Sequence, residues 1–284
     1  MRIIPFLFLF TILTSWGFKA HRNINELAVF MIPNDTLYSF YFENIAYVTE
    51  HAVDADKRKF TNHKEVPSHF IDLDKYPSTD TFDLKQCSFN EIQYEFEELF
   101  LQEHGTLPWT ITRTYWNLVE SFKNGNVNNI KRYSSDLGHY IADAHVPLHT
   151  VSNYDGQHTH QHGIHSLWET QVPELFMDTI IVDRYKVKYI GDVNNYIWSI
   201  IDSSHFQAKE VLKVDKDLRD SLNYDVFSVN NEYGQVRFSQ MYCEHYLEKL
   251  SLKVNEKFIS ASACIASFWL SAWIDAGQPN LNHE

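Results

Sequence analysis

Glycine and proline are scarce in this chain, with 9 and 8 residues respectively among 284. No stretch rich in proline, glycine or serine, and no run of like charges, separates one part of the sequence from another. A linker between domains is therefore not indicated, and one large domain is predicted. Because long segments with helical apolar periodicity fill the chain, and 44% of its residues are hydrophobic, the domain is predicted to be all-α.

Cysteine is also rare, and the whole chain contains only Cys87, Cys243 and Cys264. Three cysteines allow at most one disulfide, so a disulfide framework is excluded. Basic residues are few as well: 24 lysines and arginines stand against 37 aspartates and glutamates, and the net charge is −13 with histidines neutral. Such an acidic surface repels long nucleic acids and anionic membranes unless positive charge is concentrated in one place.

The N-terminal residues are typical of a secretory signal peptide. A single positive charge is followed by an apolar run from Ile3 to Leu13, which is too short to span a bilayer, and then by small polar residues. Cleavage after Ser15 divides the chain into a signal peptide, residues 1–15, and a mature domain, residues 16–284. The mature protein is expected to be secreted or periplasmic, and a retained N-terminal anchor is the alternative.

Histidines and carboxylates share a repeated spacing in the middle of the chain. His139 and Asp143 are four residues apart in a segment with helical periodicity, and His165 and Glu169 repeat this spacing. Side chains four apart lie on one face of a helix, so each pair can present an imidazole and a carboxylate to one metal ion. These donors suit zinc, and no cysteine lies nearby to indicate a closed structural site.

His149 follows shortly after Pro147, which is expected to end the first of these helices and turn the chain back. A histidine at this position can complete a metal site that either pair begins. One pair alone is most simply a surface contact between side chains. Two pairs and a third histidine within residues 139–169 instead favour a catalytic metal site.

Three segments resemble a known family. GHYIADAHVPLH, residues 138–149, with HSLWE downstream, is similar to the signature of the zinc-dependent phospholipase C and S1/P1 nuclease superfamily. That signature is H-x3-D, then P-[LM]-H, then H-x3-[DE], and PSHFIDLD around His69 resembles the family's S-H-F-[IY]-D. The resemblance implies an all-α, single-domain helical bundle of the phospholipase C/P1 nuclease type with a trinuclear zinc cleft.

The resemblance also implies which residues hold the three zinc ions. For the first zinc they are Asp56 or Asp54, His69, His139 and Asp143. For the second zinc they are His149, His165 and Glu169. For the third they are the amine and carbonyl of Trp16, His21, and Asp143 as a bridge. A neutral terminal amine and its own carbonyl form a five-membered chelate, and an amine pKa near 8 makes that form accessible.

An aspartate ahead of His69 is implied as a metal ligand or catalytic base. Asp56 lies 13 residues before this histidine and Asp54 lies 15 before it, and the spacing alone does not separate the two. The Ala55-Asp56 step resembles the family's usual sequence here, which favours Asp56.

The implied reaction is hydrolysis of a phosphodiester by metal-activated water, and a phospholipase C-like activity on a phospholipid head group is favoured. Glu169 supports it, because the family's nucleases usually carry aspartate there. The short spacing from His149 to His165 and the lack of a cysteine framework support it too. Transient contact with a membrane surface is then expected, and no stable protein partner is implied.

Two alternatives stay open. HFID at 69–72 and WETQVPE at 168–174 resemble the nuclease branch, in which Phe70 and Asp72 would contact a base. An S1/P1-type single-strand nuclease or 3'-nucleotidase would act on short single strands, which the acidic surface does not oppose. The alternative from another class is a non-catalytic, zinc-stabilised binding protein.

Caps and periodicity also predict the order of the helices. A short helix from His21 to Pro33 precedes one from Asn34 to about His51, and an amphipathic helix covers residues 90–103. A helix over residues 107–123 then turns at Asn124-Gly125-Asn126 into the helix that carries His139. His158, His160 and His162 are interpreted as exposed loop residues.

Overall fold

The computed structural model describes residues 17–77, 83–176, 186–222, 226–230 and 235–281. Helices account for most of them. In chain order the α-helices are α1 Phe18–Phe30, α2 Asp35–Glu43, α3 Ile45–Glu50, α4 Asp54–Arg58, α5 Phe89–Glu95, α6 Glu98–His104, α7 Leu107–Lys123, α8 Val127–Ala144, α9 Ile164–Ser166, α10 Val172–Phe176, α11 Val193–Ser221 and α12 Gln240–Asp275. Within the described residues, the strands β1 Phe227–Asn230 and β2 Gln235–Phe238 form one antiparallel hairpin. The predicted all-α class is confirmed.

Shorter helical turns lie between these elements and carry part of the site described below. Three of them are 3₁₀ turns, at His51–Val53, His63–His69 and Pro147–Thr150. A π-helical turn at Leu167–Gln171 joins α9 to α10. The division into a signal peptide and a mature domain stays a prediction, because residues 1–16 lie outside the described part of the chain.

Side-chain caps fix the starts of the helices. Asn34 accepts a hydrogen bond from the Leu37 amide at α2, and Asn126 accepts one from the Asn129 amide at α8. Ser88 forms a reciprocal capping box with Glu91 at α5. Such caps satisfy amides that have no partner inside the helix, and each stabilises the helix by about 1 kcal/mol.

Two predicted helices are interrupted in the structure. The helix expected to run to about His51 breaks at Asn44, whose side-chain amide donates to the Phe40 carbonyl. The helix expected over residues 90–103 breaks at Phe96, whose backbone is extended. The Phe96 ring lies 4.8 Å from that of Phe100 and 5.4 Å from that of Tyr76. Burial of these aromatic rings against each other explains why the chain leaves the helix there.

The predicted hairpin of α7 and α8 is present and forms the centre of the domain. Gly125 takes a left-handed conformation with φ of +63° between the two helices, which glycine adopts without steric cost. The long helix α12 packs across α8: the Trp269 indole N–H donates to the Ser134 carbonyl, and its ring stacks on Tyr41 at 4.3 Å. The apolar stretch Val254–Asp275 of α12 is long enough to cross a membrane, but most of it is buried inside this fold.

A glycine allows α1 to lie close against α8. A methyl group at Gly138 would lie 2.1 Å from the side-chain oxygen of Asn25 in α1. Asn25 is buried, and its amide donates to the Val48 carbonyl, so this side chain is not free to move aside. The contact holds α1 at the turn of α8 that carries His139.

Replacement of Gly138 by alanine should therefore destabilise the protein by about 1–3 kcal/mol, because Asn25 must break its hydrogen bond or α1 must shift. Urea denaturation measures the difference. Gly191→Ala is the control, since a methyl group there meets only the Tyr189 ring, at an ordinary 3.8 Å. Equal stability of the two variants would contradict the close approach of the helices.

Candidate metal centre

Helix α8 presents His139 and Asp143 on one buried face, as the spacing predicts. His139 is 1% exposed and Asp143 is fully buried. The Nδ1 of His139 donates a hydrogen bond to the Ala52 carbonyl at 2.8 Å. Because this bond places the proton of the neutral ring on Nδ1, the lone pair of Nε2 faces the carboxylate of Asp143 at 3.3 Å.

The first group consists of Asp56, His69 and His139, whose ligand atoms lie within 4.8 Å of one another. Asp56 is on α4 and His69 ends the 3₁₀ turn His63–His69. Asp56 Oδ1 is 3.6 Å from His139 Nε2 and 3.7 Å from His69 Nδ1. The Asp56 carboxylate forms an ion pair with Lys59 at 2.6 Å, yet it accepts no directed hydrogen bond from the described residues.

The structure separates the two candidate aspartates. Asp54 turns towards solvent, where its carboxylate contacts His51 at 2.5 Å and Lys57 at 2.7 Å. Asp56 is 2% exposed and is the aspartate that lies in the first group. Burial opposes ionisation of Asp56, but the charges of His139 and Lys59 outweigh it and lower its pKa.

The second group consists of His149, His165 and Glu169. His149 Nε2 lies 2.7 Å from Glu169 Oε1, and His165 Nε2 lies 2.9 Å from Glu169 Oε2. The predicted pairing of His165 with Glu169 is present, but it is formed on the π-helical turn rather than on a regular α-helix. Turns of this kind occur frequently at functional sites.

His149 shows why the second group requires a cation. Its Nδ1 donates to the His69 carbonyl at 2.6 Å, so in the neutral ring two acceptors, His149 Nε2 and Glu169 Oε1, face each other. Burial disfavours a charged ring, but Glu169 and Asp143 outweigh this effect and raise the pKa of His149 to about 9. A proton or a metal ion has to lie between the two acceptors.

The third group consists of His21, His139 and Asp143, and it shares His139 with the first group. His21 Nε2 on α1 is 3.5 Å from Asp143 Oδ1, and its ring stacks on that of His139 with centroids 4.0 Å apart. Burial, with His139 nearby, lowers the pKa of His21 to about 3, so its imidazole is neutral, as a metal ligand must be. Trp16, the other residue implied for the third zinc, lies outside the described residues.

The described chain nevertheless begins beside these groups. The Gly17 amide donates to the Glu169 carbonyl at 2.9 Å, and a methyl group at Gly17 would touch Thr170 at 3.0 Å. The start of α1 is therefore fixed against the π-helical turn that carries the carboxylate of the second group.

Phe70 and Asp72 lie beside the second group rather than in any of the three. The Ile71 amide, between them, donates to the His149 carbonyl at 2.8 Å. Phe70 is half-buried, and Asp72 is buried with its carboxylate 3.2 Å from His104 Nδ1. Burial raises the pKa of Asp72. His158, His160 and His162 are exposed, as interpreted from the sequence.

A partly buried polar network behind His69 was not anticipated from the sequence. Arg58 donates to Glu65 at 3.1 Å and to Asp136 at 2.9 Å, and the Tyr140 hydroxyl also donates to Glu65. Glu65 lies 3.9 Å from His69 Nε2. The four-residue spacing from Glu65 to His69 is the signal that could have indicated it.

The donors fit zinc well. All three groups contain only imidazole nitrogens and carboxylate oxygens, and every member is at least 94% buried. Ionised carboxylates at such depth need compensating positive charge. The site is thus a set of histidine and carboxylate groups, at the centre of an all-α domain, that could hold metal ions.

Comparison with known proteins supports the fold. No family model matches the chain, and no curated protein matches it. Similar solved structures include the alpha toxin from Clostridium absonum, with 13% identity and a TM-score of 0.51, and the alpha-toxin of Clostridium perfringens from avian strain SWCP, with 15% identity and a TM-score of 0.50. Each match covers 91% of this chain and 65% of the toxin chain. At such identities the likeness concerns the fold alone.

The position of Asp143 between the groups predicts unequal losses of metal on substitution. Asp143→Asn should lose about two zinc equivalents and His149→Ala about one, because Asp143 contacts His21 of the third group and His69 of the first, whereas His149 belongs to the second group alone. Elemental analysis after dialysis measures the content. His162→Ala, at the exposed loop, is the control and should lose none. Equal losses from Asp143→Asn and His149→Ala would contradict the shared position.

Proposed function

We propose that this chain is a zinc-dependent hydrolase of phosphodiester bonds with phospholipase C-like activity. The observation that carries the proposal is the convergence of the three groups, in which His139 belongs to two and Asp143 contacts members of two. The resemblance of residues 138–149 and 69–72 to the phospholipase C and S1/P1 nuclease superfamily supports it, because the histidines and carboxylates of the three groups are among the residues that it implies.

The proposed ligands follow the geometry. Asp56, His69, His139 and Asp143 would hold the first zinc, and His149, His165 and Glu169 the second. His21, Asp143 and the amine and carbonyl of Trp16 would hold the third. Bound zinc ions would polarise phosphoryl oxygens. They would also lower the pKa of a water molecule, so that it could lose a proton and attack the phosphorus.

Asp56 is the proposed base. Its carboxylate forms an ion pair with Lys59, and it lies in the first group without a directed hydrogen bond from the described residues. A carboxylate in this state can accept a proton from an attacking water molecule. Lys59, at 2.6 Å, would hold the carboxylate in one orientation.

A nuclease-like specificity is the second candidate, and the place of Phe70 and Asp72 favours it. Both residues flank the backbone bond from Ile71 to His149, beside the second group. A nucleobase bound beside the metal ligands could stack on the Phe70 ring and form a hydrogen bond with the Asp72 carboxyl group. A zinc-stabilised binding protein without turnover would have the same ligands and no activity.

An assay with parallel substrates separates these functions. The zinc-loaded protein should hydrolyse bis(p-nitrophenyl) phosphate and should act faster on short-chain phosphatidylcholine than on single-stranded DNA. Asp143→Asn should lower both rates by more than about 100-fold, because the charge that compensates bound cations is removed. His162→Ala should keep the full rate. Zinc-loaded protein without turnover on any of these substrates would favour the binding protein, and faster cleavage of DNA would favour the nuclease.

The same proposal includes cleavage after Ser15, export from the cell and a metal chelate at the new terminus. Protein that starts at Trp16 should bind one zinc more than protein extended by one glycine before Trp16. The extension moves the free amine away from the Trp16 carbonyl, so the five-membered chelate is lost. Isothermal titration with zinc measures both stoichiometries. Identical values would show that the terminus is not a ligand, without affecting the assignment of the other two ions.

A further inference from the structure

A groove of about 480 Å³ lies between α11 and α12, where the C-terminal end of α8 forms its floor. None of the residues that line it belongs to the three groups described above. Lys257 of α12 and His145, just after α8, line the groove together with the hydroxyl groups of Ser203 and Ser260.

Lys257 is a buried cation with little compensation. It is 8% exposed, and its ammonium group donates one hydrogen bond, to Ser204 Oγ at 3.0 Å. Among the described residues it forms no ion pair. An ammonium group has three donors, and lysine is rarely buried at this depth without a partner of opposite charge. The fold therefore keeps a desolvated positive charge at a groove that a ligand can enter.

The other ionisable groups that line the groove do not place a negative charge beside Lys257 at its floor. His145 is buried at the floor of the groove. Its Nδ1 donates to the Ile141 carbonyl at 2.8 Å, which leaves Nε2 as an acceptor. Glu210 of α11 and Glu256 of α12 line the groove, but both side chains are exposed to solvent. Burial alone lowers the pKa of Lys257 to about 8.

We propose that this groove binds the phosphate group of a small phosphate monoester, with Lys257 as its charge partner. Two ammonium donors without protein partners and the hydroxyl groups of Ser203 and Ser260 match the several acceptor oxygens of a phosphate better than the two of a carboxylate. The volume leaves room for an organic substituent as well as the phosphate. A protonated phosphate oxygen could donate to His145 Nε2.

A purely structural role for Lys257 is the competing explanation. Ser204, its partner, donates to the Ala144 carbonyl at 2.7 Å, so Lys257 could act only to stabilise the last turn of α8. The two roles differ in the effect of Lys257→Met. Replacement of an unpaired buried charge by an apolar side chain of similar volume leaves the stability of the fold unchanged or raises it. Loss of a helix cap lowers the stability.

The experiment compares thermal unfolding and calorimetric titration of zinc-loaded wild-type protein, Lys257→Met and Lys209→Met. Lys209 is an exposed lysine on α11 and does not line the groove. In Tris chloride buffer, Lys257→Met should unfold at the wild-type temperature or above it. Glycerol phosphate and inorganic phosphate should stabilise wild-type protein and Lys209→Met more than Lys257→Met, because only the last variant lacks the ammonium group at the groove. Any phosphate bound at the zinc ions affects all three proteins equally and cancels in the comparison.

Titration should show one phosphate site in wild-type protein and Lys209→Met that is weakened about ten- to hundredfold in Lys257→Met. Tighter binding of glycerol phosphate than of inorganic phosphate supports a monoester, and the reverse order supports free phosphate as the ligand. Acetate should not bind. Lower stability of Lys257→Met in Tris chloride, with the same response to phosphate as wild-type protein, would overturn the proposal.

A measurement on the wild-type chain alone keeps the test independent of folding of the variant. Acetic anhydride acetylates accessible lysine amines, and mass spectrometry of peptides gives the rate at each position. Glycerol phosphate should slow acetylation of Lys257 and leave that of Lys209 unchanged. The same rate at Lys257 with and without the phosphate ester would overturn the proposal.

Discussion

The structure depends on an electrostatic requirement at the centre of the domain: buried acceptor atoms face each other and need cations between them. The ring protons of His139 and His149 are fixed on Nδ1 by backbone carbonyls, so both Nε2 lone pairs face carboxylates. Removing these carboxylates from water costs several kcal/mol each unless positive charge compensates it. A proton satisfies one such pair only, whereas a divalent ion satisfies several donors at once. The three groups could therefore hold metal ions that satisfy several of these donors together.

Both long helices and short turns carry the residues of the three groups. The hairpin of α7 and α8 and the core helix α12 set the position of His139 and Asp143. The other members come from short or irregular segments, such as the 3₁₀ turn that ends at His69 and the π-helical turn with Glu169. Such segments have few backbone hydrogen bonds of their own. Their positions depend on long-range bonds, such as that from the Gly17 amide to the Glu169 carbonyl, which is 2.9 Å long.

Local sequence rules account for much of this structure and fail where distant contacts decide. The spacing of His139 and Asp143, the caps at Asn34 and Asn126 and the turn at Gly125 follow from short-range chemistry, and the structure contains all of them. The break at Phe96 depends on rings that belong to Tyr76 and Phe100, so periodicity alone predicts a continuous helix. The choice between Asp54 and Asp56 depends on which one faces α8, and counting residues cannot decide it. The burial of Lys257 likewise results from the packing of α11 on α12.

The two candidate sites share the C-terminal end of α8, which gives a physical reason why positive charge is favoured at both of them. The carbonyl groups at the C-terminus of α8 carry a partial negative charge, and Asp143 in the last turn adds to it. Positive charge near this end is favourable, whether from metal ions on the face of His139 and Asp143 or from Lys257 through Ser204 at Ala144. The metal ions would find carboxylates around them, but Lys257 has no carboxylate at its depth. The end of α8 therefore compensates only part of the positive charge of the Lys257 ammonium group, and an anion bound in the groove would compensate the rest.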